Sequence, residues 1–445
     1  MNPNTYIREL EAALIEKNLI IEGLTKENEE LKKRLHIYEN PHTPPSAKRF
    51  PTQRIPDVES QEKKKRGAPK GHRGATRPTP VPDELIEVVA DTCEQCQGKN
   101  LEDLENTEKR TIEDIPPPQV IKTVEFHHHT MKCRDCGLVF VSKHPDSPKI
   151  GNFGIYLLVY VTMLKFHLRG VLRKIQDYLL YSNNFDISTK GIHDILLRVG
   201  DACKTDYLRT VERIHKSDWV HVDETGVHIN GKPGWLWIFR SSNNDILVVI
   251  RESRGGKVVE EILGRDWKKP IIVDGWKAYN WLPIIQRCWS HLIREVDAFI
   301  EVSKEGKQLS EEIHARFNTL KDILDKDMSR DERVSMKKKL DKDMEVLVKK
   351  YESFKELSKP VTYIRNGLGK WHTCILYPGM EPTNNLGEQA MREHVIIRKI
   401  IGCFRSESGA ENYQYIASLL ASWRLQEKNI FEELADLLRK ELCLS

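Results

Sequence analysis

The stretch "HVDETGVHIN", residues 221–230, sets Asp223 beside Glu224 where a run of alternating apolar residues should end. Neighbouring carboxylates resist joint ionisation unless a cation or open solvent receives them. A second acid, Asp274, closes the apolar part of "PIIVDGWKAY", a short segment of the kind that forms a buried central strand. A third, Glu388, lies in "TNNLGEQAMREHVIIRK", where the asparagines can start a helix and Arg392 follows the acid by one turn on the same face. Hard divalent cations take oxygen ligands in octahedral geometry, so Asp223, Asp274 and Glu388 are candidate ligands for two Mg²⁺ or Mn²⁺ ions. Two such ions about 4 Å apart can activate a water or a 3′-hydroxyl on one side of a phosphate and stabilise the leaving oxygen on the other. That chemistry is phosphoryl transfer on DNA. Glu224 reads as a neighbour of the site, because successive strand residues point to opposite faces.

The acids need elements to position them. From Asp218 the apolar period becomes two: "WVHVDETGVHI", "GWLWIFRS" and "DILVVIRE" predict three strands, with polar turns at Asn230–Lys232 and Asn243-Asn244, hence an antiparallel meander. The helical "RGGKVVEEILGR" then leads to the buried strand that ends at Asp274. Three antiparallel strands, a helix and a buried strand, with acids ending the first and fourth strands, describe the start of an RNase H-like fold. There the two acidic strands lie adjacent. Between Asp274 and Glu388, "KKKLDKDMEVLVKKYESFKEL" and its neighbours are charged helical sequence. Trp235, Trp237, Trp276, Trp281 and Trp289 read as core packing, with stacking on a distorted DNA end as the alternative. "CWSH", Cys288 to His291, reads as a core cysteine and a histidine near the active centre; two ligands do not close a zinc tetrahedron.

A chain of 445 residues exceeds what one core usually supports, so several domains are expected. No apolar run is long enough to span a membrane and "MNPNTYIREL" lacks a signal-peptide core, so a cytoplasmic protein without a membrane partner is expected. The net charge is only +4, which sends the search for a polyanion-binding surface to local clusters. Lys63, Lys64, Lys65, Arg66, Lys70 and Arg73 form one, inside a stretch from Pro41 to Pro82 that holds nine of the 21 prolines. That composition predicts an extended, mobile linker offering sequence-independent attraction to phosphates. Before it, Ile7, Leu10, Leu14, Lys17, Ile21, Leu24, Asn28, Leu31, Leu35 and Tyr38 keep the spacing of a two-stranded coiled coil, with Asn28 at a register-fixing position. After it, Cys93 with Cys96 and Cys133 with Cys136 have the spacing of two knuckles that together close a tetrahedral zinc site. His127, His128 and His129 would alternate faces in a strand and cannot all be ligands. From Gly154 to His215 the pattern is helical and fits a helix-turn-helix, with Ser188 as a candidate N-cap and Lys190, His193 and Arg198 on the following helix.

Taken in order, "HVDETGV", "VDGWKAY", "CWSHLIRE" and "NNLGEQAMR" resemble the DDE transposases of the insertion sequence 66 family, over essentially the whole chain. The resemblance implies that Asp223, Asp274 and Glu388 form a magnesium-binding catalytic triad interrupted by a helical insertion, and that small accessory proteins of the same element take part. One departure is Gln389 after Glu388, where the family often has arginine; Arg392 and Arg398 remain as phosphate contacts. The fold class expected is therefore multidomain α+β. Its parts are a coiled coil (1–40), a basic Pro-rich linker (41–82), a zinc-binding domain (83–150) and a helix-turn-helix-like region (151–217). An RNase H-like α/β catalytic domain (218–291 and 381–445) follows, with the helical insertion at 292–380. The function implied is binding of terminal inverted repeats as a homodimer or higher oligomer, followed by cleavage and strand transfer to target DNA. The protein would be nucleoid-associated when bound. A catalytically silent DNA-binding regulator and a metal-dependent nuclease are the rival readings.

Overall fold

The computed structural model describes residues 17, 18, 20–29, 81–102, 109–112 and 120–444. The basic cluster Lys63, Lys64, Lys65, Arg66, Lys70 and Arg73 and most of the expected coiled coil lie outside these residues. Residues 17, 18 and 20–29 are helical (α1), with Ile21 and Leu24 exposed. The chain divides into two units, Phe50–Ile121 and the remainder. In the first, the described backbone is irregular and turns at Cys93, whose carbonyl accepts from Gln97 and whose amide donates to Gly98.

In the larger unit a short hairpin, β1 (Thr130–Lys132) and β2 (Val139–Val141), frames a second turn of the same design. The Cys133 amide donates to Leu138, and Gly137, at φ 77°, donates back to Cys133. Such a left-handed turn suits glycine. Three helices follow: α2 (Ile155–Phe166), α3 (Leu172–Asn183) and the long α4 (Thr189–Lys216). The Ser188 hydroxyl caps α4 by accepting from the Gly191 amide, as the sequence predicts.

Helix α4 delivers the chain to a five-stranded mixed sheet of order β5-β4-β3-β6-β7. Strands β3 (Val220–Ile229), β4 (Lys232–Ser241) and β5 (Ile246–Arg251) form the expected antiparallel meander. After α5 (Gly256–Leu263), β6 (Ile271–Val273) and β7 (Ile285–Arg287) add in parallel beside β3. One face of the sheet packs Val220, Val222, Trp237, Phe239 and Val249 against α5. The other packs Val227, Leu236, Ile238 and Val248 against α10 (Asn385–Ile401) and α11 (Glu407–Leu425). Each fully buried large apolar side chain contributes roughly 1.5–3 kcal/mol.

Four helices separate the parallel strands from α10: α6 (Trp289–Asp297), α7 (Lys304–Leu324), α8 (Arg330–Tyr351) and α9 (Ser358–Asn366). They enclose their own core around Trp289, Phe299, Ile313, Tyr351 and Trp371. The charged sequence of α8 starts at a complete capping box, Ser329 with Glu332.

Two features were not apparent from the sequence. Helices α2, α3 and α4 share a single hydrophobic core with α11 and α12 (Ile430–Arg439), so segments 200 residues or more apart close around Ile155, Val199, Ile416, Trp423 and Leu434. The edge strand β5 is also covered. Its Ile246, Val248 and Ile250 amides donate to Ser422 Oγ, Ser418 Oγ and Gln414 Oε1, three α11 side chains spaced four apart, at 2.9, 2.8 and 2.9 Å. This polar stripe satisfies an edge that would otherwise be open to pairing with another strand.

Candidate active site

Strand β3 presents alternate residues to α10, because its side chains alternate in direction with period two. His221 reaches Asn384, Thr225 reaches Arg398, and Asp223 lies between them on that face. The strand does not end at Asp223 as the sequence suggests. Its antiparallel partner β4 covers it from Val220 to Ile229, whereas the parallel partner β6 pairs only with Val220 and His221. Asp223 therefore sits just past the point where the β6 side of β3 becomes free, and the opening is made by the short strand.

The α10 side is fixed by Asn384, which is buried. Its amide nitrogen donates to the Val222 carbonyl at 2.9 Å, its Oδ1 pairs with His221 Nδ1 at 3.0 Å, and its backbone amide donates to Cys288 Sγ at 3.1 Å. With the amide nitrogen committed to a carbonyl, Oδ1 is the acceptor, so the His221 proton resides on Nδ1. Burial lowers the His221 pKa to about 4 and keeps the ring neutral. Asn384 starts α10, but its side chain makes no capping bond; it crosses to β3 instead. A Cβ on Gly387 would lie 2.7 Å from Asn384 Oδ1, so the glycine leaves room for that crossing.

Asp274 follows β6 directly. Its Oδ1 accepts from the Trp276 amide at 2.8 Å, an Asx turn that leads into a 3₁₀ turn at Lys277–Tyr279. Gly275 is obligatory for space: a Cβ there would stand 2.4 Å from an Arg287 guanidinium nitrogen and 2.9 Å from the Tyr363 ring. Arg287 is itself buried behind the turn, over the rings of Tyr363 and Trp371.

Glu388 lies in the first turn of α10, where the helix dipole favours a negative charge. Its Oε1 is 3.2 Å from Arg294 and 3.6 Å from His291 Nδ1, both on α6. Asp223 feels the charges of the other two acids. Burial, and then the charges of Glu224, Asp274 and Glu388, hold the Asp223 carboxyl well above the usual carboxylate range, with the Glu224 amide opposing. An all-oxygen set whose charges raise Asp223 fits hard divalent cations.

Glu224 points to the opposite face, as alternation requires. Its carboxylate accepts from Tyr279 and pairs with Arg254 at 2.8 Å. Burial and Asp274 raise its carboxyl despite these donors. Arg254 is stacked between Trp235 and Trp276, 4.6 and 4.2 Å from their ring centres. Trp237 and Trp289 are core residues, whereas Trp276 and Trp281 are more than a third exposed.

The remaining candidates are spread more widely. Arg392 is exposed one turn beyond Glu388. Arg398 donates to the Thr225 hydroxyl and the Gly226 carbonyl, tying α10 to β3. Lys190 pairs with Asp194 on the surface of α4 at 2.8 Å. Cys93 and Cys133 each have a thiol lowered by backbone amides of their own turn, first those of Cys96 and Cys136 respectively. His127 pairs with Glu125, His128 bonds Ser142 and Ser147, and His129 is exposed. Sequence reading missed Asn384 as a clamp and Arg294 as the partner of Glu388. The only signal was a small one, the Asn-Asn-Leu-Gly run whose glycine accommodates the asparagine.

None of the curated proteins compared with the chain matches it. A family model described as "Transposase IS66 family" matches residues 151–412, from α2 through the sheet, the four intervening helices and α10 into α11. That match covers more than half of the sequence and contains Asp223, Asp274 and Glu388, so the chain belongs to the IS66 family of transposases.

Proposed function

We propose that Asp223, Asp274 and Glu388 hold two Mg²⁺ or Mn²⁺ ions and that the chain cleaves the ends of its insertion sequence and joins them to target DNA. One observation carries the reading: acids from β3, from the end of β6 and from α10 lie near enough together that, after burial and Glu224, the charges of Asp274 and Glu388 raise Asp223. The sheet order, with a three-stranded meander extended by parallel strands beside the first, supports an RNase H-like catalytic domain. Bound at these oxygens, divalent cations would polarise the scissile phosphate and lower the pKa of the attacking water or 3′-hydroxyl. The protein's own groups do the positioning. Asn384 sets α10 against β3, Arg294 orients Glu388, and the Trp276 amide orients Asp274.

The other parts extend this reading. The two cysteine turns would supply the thiolates of a structural zinc ion, Cys93, Cys96, Cys133 and Cys136. Helices α3 and α4, with Lys190, the basic linker and Arg392 would contact the inverted repeats. The amino-terminal heptads would pair two chains, and accessory proteins of the element would join the assembly on the nucleoid.

The test incubates purified protein with Mg²⁺ and a labelled duplex from DNA flanking its gene. Cleaved and joined products that vanish with Asp274→Asn are expected. Products that persist in that variant overturn the assignment of the site, and cleavage without joining reduces the activity to that of a nuclease.

A further inference from the structure

The reaction site has a second set of donors on its α6 side. Cys288 and His291 are three apart at the start of α6, a spacing that puts both on one face of the helix. Glu388 arrives from α10, and the Cys288 sulfur, a His291 ring nitrogen and a Glu388 carboxylate oxygen all lie within 4.8 Å of one another. Sequence spacing supplied only two of these ligands. The fold supplies the third, which removes the objection to reading "CWSH" as part of a metal site.

The donor chemistry differs from that of the acidic triad. One thiolate, one imidazole and one carboxylate form a mixed S, N, O set, which suits borderline-soft cations and is poor for Mg²⁺. Thiolate and carboxylate together neutralise a divalent charge, and the imidazole adds a neutral ligand. Tetrahedral zinc, with bonds of about 2.0–2.3 Å, places its ligands roughly 3.3–3.8 Å apart. His291 Nδ1 and Glu388 Oε1, 3.6 Å apart, already lie in that range, and the remaining separations, all within 4.8 Å, leave only small side-chain adjustments to make. The fourth position then falls to water. The Asn384 amide bonded to Cys288 Sγ holds the sulfur in place; burial raises the thiol, that amide opposes the rise, and a bound cation would displace the proton.

We propose that Cys288, His291 and Glu388 form a site for a borderline-soft divalent cation, zinc being the type, which withdraws Glu388 from the hard-cation site when filled. The site is thereby a built-in inhibitory switch: zinc and magnesium compete for one carboxylate. The competition rests on the proposed role of Glu388, whereas the binding does not.

Full-length protein is titrated with Co²⁺, and the thiolate-to-cobalt absorption of Cys288→Ser is subtracted from that of wild type. The amino-terminal cysteines contribute to both spectra and cancel. A difference band at one extra Co²⁺ per chain is expected, with affinity at least tenfold lower in His291→Gln. Excess Mg²⁺ should weaken Co²⁺ binding at this site. No difference band at saturating Co²⁺ overturns the proposal. If Cys288→Ser does not fold, unchanged Co²⁺ affinity in His291→Gln overturns it equally. A difference band in a protein that cleaves no DNA with Mg²⁺ upholds the soft-metal site and counts against the transposition reading alone.

Discussion

The side-chain amide of Asn384 donates to the backbone carbonyl of Val222 at 2.9 Å, so the first turn of α10 is fastened to β3 one residue before Asp223. The same residue holds His221 and Cys288, which makes it the junction of β3, the start of α6 and α10. Asn384→Ala should leave buried partners unpaired and destabilise the protein by about 1–3 kcal/mol. A shift of this kind in an active site lowers turnover more than it lowers affinity, by on the order of 100-fold. Cleavage rate, DNA affinity and Tm measured on one preparation separate these effects; unchanged turnover would remove Asn384 from the positioning apparatus.

The carboxyl of Asp223 is raised by burial and by its acidic neighbours. Between its ordinary and its raised pKa the folded protein binds more protons than the unfolded chain, so stability falls as pH rises through that window. A divalent cation favours the ionised form and opposes the loss. Mg²⁺ at about 100 times its Kd should stabilise by ~2.7 kcal/mol, with the gain in Tm larger at pH 8 than at pH 5. The increment should disappear in Asp223→Asn. A pH-independent gain would locate the cation elsewhere.

His394 on α10 is buried against the Tyr413 hydroxyl at 2.7 Å, and burial lowers its pKa to about 4 from the ordinary 6.5. Here the sign is reversed. The stability that follows from a neutral ring is complete above pH 6.5 and is lost as pH falls toward 4, because the unfolded chain takes up the proton first. Thermal unfolding across that range should show a steeper acid-side decline for wild type than for His394→Gln.

Ser418 lends its hydroxyl to the Val248 amide on the edge strand. Ser418→Ala leaves that amide without its partner in a buried place and should cost about 1–3 kcal/mol, measured as a lower urea midpoint. Ser408, on an exposed turn of α11, is the control: Ser408→Ala should change stability by less than about 0.5 kcal/mol.

Periodicity and composition determined much of this protein. The meander, the buried strand before Asp274, the Ser188 cap, and the charged helices between Asp274 and Glu388 were all legible, because each is set by residues close together in the chain. The motif order was enough to point to the family. Tertiary structure alone decided the rest. Gln414, Ser418 and Ser422 look like a solvent-facing stripe until the edge of β5 is laid against them. Asn384 looks like a helix cap until β3 offers a carbonyl. Cys288 and His291 look like an incomplete ligand pair until α10 brings Glu388 beside them. In each case the deciding partner is distant in sequence. A local pattern records what a residue is able to bond, and packing determines what it does bond.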